Sequence, residues 1–291
     1  MDISVLIVMY NSAGQISACL ESLFQQVGVA FEVIVVDNAS ADDSLAQCQK
    51  FSLARVIASP ENLGFGRGNN LAFAASSGRY IYLLNPDARL VGTDALAELC
   101  RAMDASPRWG MAGTLVQSSD GHQESPPATD YSGQRHVTAD FSKLPGQIAW
   151  ILGASMVIRR DLYAQLGGFD PDFFLYSEET DLCLRVRKAG HEIGQILTVV
   201  VEHIGGASED NRDPYQSSAR KLQGLILFRK KHYPPLDCVR LAKRDLRRAR
   251  FRAAWNGLLA SFQPPRSKAW QKSRVYRAIA DVSRQYLRAP Q

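Results

Sequence analysis

Tyr80-Ile81-Tyr82-Leu83-Leu84-Asn85-Pro86-Asp87 is the stretch from which the fold is read: five apolar, strand-forming residues run directly into a polar corner. The same alternation precedes it. Residues 3–9 predict a strand, and 12–26 a helix with apolar positions Ile16, Leu20, Leu23 and Phe24 near helical spacing. Residues 31–36 predict a second strand, a helix starts at Asp42 or Asp43 and runs to Phe51, and residues 55–58 are a short third strand. Strands alternating with helices predict an α/β fold with a mostly parallel sheet flanked by helices. Three strands end in polar or glycine-bearing loops, at Asp37-Asn38-Ala39-Ser40, at residues 60–70 and at Asn85-Pro86-Asp87. Ligands of open α/β sheets bind beyond the carboxyl ends of the strands, which makes these loops candidate binding segments.

Further along, residues 93–105 read as a helix and 111–116 as a strand. Residues 117–143 read as a long polar loop or lid, and loops of that length inside a compact domain are often functional. Residues 150–158 return to strand character, 161–166 form a short helix, and 177–189 form a helix opening on Glu178-Glu179-Thr180-Asp181. A strand at residues 199–202 ends at His203, followed by Ile204-Gly205-Gly206-Ala207-Ser208.

Bulk properties bound the alternatives. The chain has 291 residues, 46% of them hydrophobic, which suits one large α/β domain with an appendage. No run approaches the roughly 18–20 apolar residues that span a bilayer. The N-terminus enters a strand with no basic region before it and no small-residue cleavage site after it, so the expectation is a cytoplasmic protein. Five cysteines, odd in number and without a CxxC pair, argue against a disulfide framework or zinc site. The net charge of +5 is unevenly spread: residues 220–291 hold 19 Lys and Arg against 3 Asp, whereas residues 1–219 hold 15 against 26 acidic residues. That asymmetry suggests a catalytic domain over 1–219 and a basic, amphipathic helical region over 220–291.

In the basic region Val239, Ala242, Leu246, Ala249 and Ala253 form a narrow stripe that Trp255, Leu258, Leu259 and Phe262 continue, surrounded by arginines. Such a helix suits an anionic membrane surface; the alternative is a solvated hairpin packed on the acidic domain or on another subunit. Nucleic acid fits poorly, because aromatic platforms are sparse and no known motif is present.

Each candidate group has two readings. Asp87, after a buried strand and a stiffening proline, offers a hard oxygen ligand to a cation, though Asn-Pro-Asp also serves as a turn or capping signal. Glu178, Glu179 and Asp181 place like charges within one turn, which raises at least one carboxyl pKa and suits a general base; acidic residues also favour a helix N-terminus for its dipole. His203 sits at a strand end before two glycines, as a metal ligand or as a structural histidine. The glycine segment at 62–70 offers backbone amides to a phosphate but matches neither the P-loop nor the dinucleotide spacing.

Taken in order, the segments VLIVMYN (5–11), VIVVDNAS (33–40), NLGFGRGNN (62–70), LLNPD (83–87), LGASM (152–156), GGFDPDFFLYSEETDLCLR (167–185) and HIGGAS (203–208) resemble glycosyltransferase family 2, in its bacterial rhamnosyltransferase-like branch. The resemblance implies the GT-A fold and an inverting sugar transfer from a nucleotide-sugar donor, dTDP-rhamnose or alternatively a UDP-sugar. It implies a hydroxyl of a glycan or lipid-linked acceptor in cell-surface polysaccharide synthesis; with the basic region, the expectation is a cytoplasmic protein peripheral on the inner face of the cytoplasmic membrane. By the same resemblance Asp37 reads the pyrimidine base; Asn62, Gly64 and Asn69 line the nucleotide pocket; and Asn11, Asn38 and Asn85 belong to the donor-binding segments. Asp87 stands at the metal end of the DxD motif with His203 as second ligand, for Mg²⁺ or Mn²⁺. Glu179 is the implied base, with Glu178 beside it and Asp181 and Arg185 supporting it or the acceptor.

Two positions depart from the family pattern. Asn85 replaces the first Asp of DxD, which removes one anionic ligand, and the acidic pair reads Glu178-Glu179 where Glu-Asp is expected, which lengthens the implied base by one methylene. They keep open a non-catalytic subunit that binds the nucleotide sugar without transferring it. A sugar-phosphate nucleotidyltransferase would want a glycine-rich, basic N-terminal signature that Val8-Met9-Tyr10-Asn11-Ser12 does not supply.

Overall fold

The computed structural model describes residues 1–118, 121–123, 126–203 and 213–289. They fall into two compact units. The first holds Met1–Tyr131, Ser142–Phe174 and residues 178–203; the second holds Ser132–Phe141, Leu175–Ser177 and residues 213–289.

The first unit is built on β1 (Ile3–Met9), α1 (Ile16–Phe24), β2 (Phe31–Asp37), α2 (Ser44–Cys48), β3 (Ala54–Ala58), α3 (Phe65–Ala74) and β4 (Tyr80–Leu84). It continues through β5 (Ala88–Leu90), α4 (Ala95–Ala105), β6 (Trp109–Gln117), β7 (Ser155–Arg159), α5 (Arg160–Gln165), α6 (Glu178–Lys188) and β8 (Glu192–His203). The strands form one eight-stranded sheet in the order β3-β2-β1-β4-β7-β6-β8-β5. Pairs β1–β2, β1–β4, β2–β3 and β6–β8 are parallel, and β4–β7, β6–β7 and β5–β8 antiparallel.

All seven residues of β1 are buried because both faces of the sheet are covered. Successive side chains point to opposite faces. Ile3, Val5, Ile7 and Met9 meet α1 and α4 through Leu20, Leu23, Leu96 and Leu99, while Leu6 and Val8 join the core containing Ala72 of α3, Leu162 of α5 and Leu182 of α6. The five cysteines are free thiols in buried positions.

The strand expected over 150–158 begins only at Ser155. Ahead of it, Trp150 makes an isolated bridge to Ala128 and the chain then turns away from the sheet. Gly153 lies against the side chain of Glu179, the nearest approach a Cβ would make being 3.6 Å. The apolar run is there to be buried, but its backbone makes room for α6.

The second unit is helical: α7 (Pro214–His232), α8 (Pro235–Ala260) and α9 (Lys268–Arg288). Asp213 caps α7 by accepting from the Tyr215 amide, with Pro214 in the first turn. The boundary expected at 219/220 falls inside this continuous helix: the charge shift marks a change of surface, and the chain division precedes α7. Part of the segment read as a long loop, Ser132–Phe141, belongs to this unit, where the Thr138 amide and hydroxyl both donate to Asp237 Oδ2 at 2.6 and 2.8 Å. The stripe divides: its first part packs within this unit, while Trp255, Leu258 and Phe262 of its continuation are exposed. Ala242 and Ala249 are buried together with Cys238 and Leu241, and Ser273 Oγ of α9 donates to the Ala253 carbonyl at 3.2 Å, so small residues set the seam along which α8 meets α9. No helix among the described residues is long and apolar enough to cross a membrane.

Gly64 fixes how the glycine segment enters α3. Its φ is +80°, the Phe65 amide donates to the Phe174 carbonyl at 3.1 Å, and a Cβ on Gly64 would sit 2.1 Å from that carbonyl oxygen. Gly64→Ala is expected to destabilise the protein by at least about 2 kcal/mol, from left-handed backbone strain plus a clash with main chain. Urea unfolding measures this, and a variant within about 0.5 kcal/mol of wild type would contradict the packing described.

Candidate functional site

The polar corner after β4 is a tight turn. Leu84 pairs with Ser155 across the sheet, the Asn85 amide donates to the Ala154 carbonyl at 3.0 Å, and the Ala88 amide donates back to the Asn85 carbonyl at 3.1 Å. Pro86 at the second position of such a turn has its φ preset. The chain then enters β5, whose antiparallel register with β8 is Ala88↔His203, Arg89↔Glu202 and Leu90↔Val201. This pairing delivers His203 to the corner. Its Nε2 lies 3.3 Å from Asp87 Oδ1 and 3.3 Å from Asn85 Nδ2, and both Asp87 and His203 are buried.

In the tautomer that carries its proton on Nδ1, the Nε2 lone pair and the Asp87 carboxylate converge. Two electron-pair donors side by side suit a divalent cation. Among the described residues no third His, Cys, Asp or Glu completes a cluster with them. A cation held by these two residues would need further ligands from outside them. Beside the pair lies a cavity of about 310 Å³ bordered by Gly14, Gln15, Asp87, Arg89, Glu202 and His203. Gly14, Gln15, Arg89 and Glu202 are not evident from sequence. The only signal for the first two is their place after β1, and for Arg89 and Glu202 it is the short strand pairing, where Arg89 Nε donates to Glu202 Oε2 at 2.7 Å. The Ile204–Ser208 glycine loop lies outside the described residues.

Asp37 closes β2 and is buried, its Oδ1 accepting from the Ser40 amide at 3.3 Å. Around it the asparagines hold loops together. Asn38 donates to Asn62 Oδ1 at 2.9 Å and accepts from the Leu63 amide at 2.8 Å; Asn62 accepts from the Gly64 amide at 2.9 Å. Asn11 Oδ1 accepts from the Ala41 amide at 2.8 Å, with Asn11 and Ala39 at positive φ (49° and 61°). Asn69 donates to the Phe65 carbonyl at 3.0 Å, and its Oδ1 is buried without a partner among the described residues. The donor-segment residues therefore gather at the ends of β1, β2 and β3, where several shape the loops through their own amides.

The acidic helix begins against the same turn. Gly153, under Glu179, is followed by Ala154, whose carbonyl holds Asn85. Residues 153–154 thus link the Asn85–Asp87 corner to α6. Glu178 is only 4% exposed, with Oε2 unpartnered among the described residues, and burial followed by the Glu179 charge pushes its carboxyl up to about 8. Glu179 is half-buried. Asp181 is buried and accepts from Arg185 Nε at 2.7 Å, while Arg185 Nη1 reaches the Leu166 carbonyl at 3.0 Å, tying the helix to the end of α5. The chain reaches α6 through Tyr176 and Ser177, both at positive φ (74° and 72°), a conformation that costs non-glycine residues about 1–2 kcal/mol each.

The sequence pattern described as Glycosyl transferase family 2 matches residues 4–167, more than half of the chain. The chain belongs to glycosyltransferase family 2. Among curated proteins it is 26% identical over 257 residues to the N-acetylglucosaminyl-diphospho-decaprenol L-rhamnosyltransferase of Mycobacterium tuberculosis, covering 77% of this chain and 82% of that protein. It is 27% identical over 241 residues to the rhamnosyltransferase WbbL of Escherichia coli K12, covering 74% and 88%. These relatives place it in the rhamnosyltransferase-like branch. The fold is similar to that of the mannosyltransferase PcManGT of Pyrobaculum calidifontis in complex with GDP-Man and Mn²⁺, with TM-score 0.62, 18% identity, and 99% and 88% of the two chains covered. It is also similar to TarS residues 1–349 of S. aureus, with TM-score 0.59, 16% identity, and 98% and 92% covered.

The two departures of this family 2 member from its pattern have structural counterparts. Asn85 supplies a neutral amide beside Nε2 where a carboxylate would add negative charge. The first glutamate of the acidic pair is a core residue and the second is not. A buried carboxyl whose folded pKa lies above its unfolded value favours the folded state most at low pH; that advantage is lost as pH rises from about 4.5 towards about 8. Glu178→Gln removes the titration. Relative to wild type, the variant is expected to gain stability as pH increases from about 5 to about 8, by on the order of 2 kcal/mol at the upper end. Chemical denaturation at a series of pH values checks this; a difference independent of pH would show that Glu178 titrates normally.

Proposed function

We propose that this family 2 glycosyltransferase moves rhamnose from dTDP-rhamnose, by inversion and with a divalent cation, to a hydroxyl of a lipid-linked or polysaccharide acceptor in cell-surface glycan synthesis. The observation that carries the reading is the β5–β8 register that sets His203 beside Asp87 at the end of the sheet. The rhamnose donor and the lipid-linked acceptor are supported by the names of the two rhamnosyltransferase relatives.

Asp87 and His203 would hold Mg²⁺ or Mn²⁺, and the bound cation would neutralise charge on the departing nucleoside diphosphate. Asp37 would accept from the pyrimidine, with the loops shaped by Asn11, Asn38, Asn62, Gly64 and Asn69 around the nucleotide. The carboxylate of Glu179 would take the proton of the acceptor hydroxyl as that oxygen bonds to the anomeric carbon; the bond from this carbon to the diphosphate oxygen breaks on the opposite face. Glu179 is favoured over Glu178 because Glu178 is buried, where desolvation disfavours the carboxylate that a base needs, whereas Glu179 is half-buried. Asp181 and Arg185, paired with each other, would position the helix. The enzyme would work at an anionic cytoplasmic membrane surface, as a peripheral protein. A half-exposed carboxylate at the acceptor side favours transfer over the reading as a non-catalytic binding subunit.

Asp87→Ala should abolish cation-dependent transfer from dTDP-rhamnose, while wild-type rates would remove the metal assignment. A thermal-shift comparison of dTDP-rhamnose with UDP-sugars, with and without Mn²⁺, identifies the donor by mass action. Glu179→Gln should leave donor binding within about twofold and lower kcat by about 10²-fold or more, the order expected for removing a positioned general base. If Glu178→Gln produces that loss and Glu179→Gln does not, the base is misassigned.

A further inference from the structure

The last third of α8 carries a second apolar face, separate from the seam it makes with α9. Phe251, Trp255, Leu258 and Phe262 are 74%, 57%, 56% and 81% exposed. Their spacing of four, three and four places them on one side of the helix. The turn continues through Phe262, whose amide donates to the Leu259 carbonyl at 3.3 Å. One to two turns earlier, the same side bears Arg247 and Arg248, exposed and without an ion pair among the described residues. The face is thus divided along its length, cationic first and aromatic after. Four large apolar side chains in water, in line, are the kind of patch that marks an interaction site.

We propose that this face is where the protein docks on an anionic bilayer, with Phe251, Trp255, Leu258 and Phe262 entering the boundary between headgroups and acyl chains and Arg247 and Arg248 on the lipid phosphates. The inference rests on the peripheral-membrane part of the proposed function and names the surface that performs it. Charge selects the occupant. Residues 220–291 carry 19 basic side chains against 3 acidic ones, so a second copy of the face would bring arginines onto arginines, whereas phosphates complement them. Aromatic rings suit the interface, where an apolar body meets a wet rim, and near-surface cations add to the attraction. The length of the patch, about three turns, suits a helix lying in the interface plane.

The full chain is tested by sedimentation with vesicles of phosphatidylcholine alone and with about 30% phosphatidylglycerol. Wild type should bind the anionic vesicles. Phe251→Ser/Trp255→Ser/Phe262→Ser should lower the partition coefficient by more than tenfold while keeping the wild-type melting temperature and transfer to a water-soluble acceptor. Arg247→Gln/Arg248→Gln should lower it roughly thirtyfold, taking about 1 kcal/mol for each near-surface cation. A readout free of any folding question uses wild type with brominated lipids, where the quenched emission should disappear in Trp255→Phe. If wild type binds and the aromatic variant binds equally, with no quenching at Trp255, the face is wrong while the membrane reading stands. If wild type does not bind anionic vesicles, both fall. Light scattering that shows a dimer lost in the aromatic variant, or single-stranded RNA bound in preference to vesicles, would overturn the assignment in favour of those partners.

Discussion

Three residue pairs between β5 and β8 carry the candidate site's edge of this fold. Asn85 and His203 are 118 residues apart, and only the pairing of Ala88 with His203 brings them within 3.3 Å. That pairing depends on an irregularity. Along the parallel β6–β8 ladder the register runs Thr114↔Ile196 and then Leu115↔Val200, so β8 takes up extra residues before it reaches β5. Bulged strands bend and twist more strongly and re-aim the side chains beyond the bulge. A slip of one residue would turn the His203 side chain to the opposite face. The histidine's position is therefore a property of the whole sheet edge, stabilised by Arg89 on Glu202, and little of it is local.

The strands of the parallel half were legible because each is an apolar run closed by polar or glycine-bearing turns, and β4 was read residue for residue. β5, three residues long, is too short for any period to show, and it is the element that positions His203. The run at 150–154 was misread because burial and extended structure share the same composition; only the α6 packing over Gly153 distinguishes them. Charge misled on the domain boundary, since a helix such as α7 changes surface without changing continuity. On α8 the helical period is present on two faces. The sequence shows both, and bulk decides between them: alanines permit close approach to α9, whereas phenylalanine and tryptophan are left outside.

At the acidic helix the fold accepts local costs. Two consecutive non-glycine residues take left-handed backbone before α6, and a carboxyl is buried where its ionisation is opposed. Energetically unfavourable features of this kind are tolerated where the surrounding structure over-determines them, and they gather at working sites. Here they differentiate two adjacent glutamates that composition cannot tell apart. One is drawn into the core, where burial opposes its ionisation, and its neighbour lies half-buried near the turn that holds Asn85.

The five buried cysteines have a consequence for following the protein in motion. A thiol reacts as thiolate, and burial pushes Cys48 and Cys100 up to about 11 and Cys183 up to about 12, with Cys19 and Cys238 also raised. In the closed fold none is a ready nucleophile, so alkylation proceeds only through opening. Cys183 on α6 and Cys238 on α8 belong to different units. Their labelling rates therefore report on two places, openings of the acidic helix and openings of the helical unit, written into the chain without an added probe.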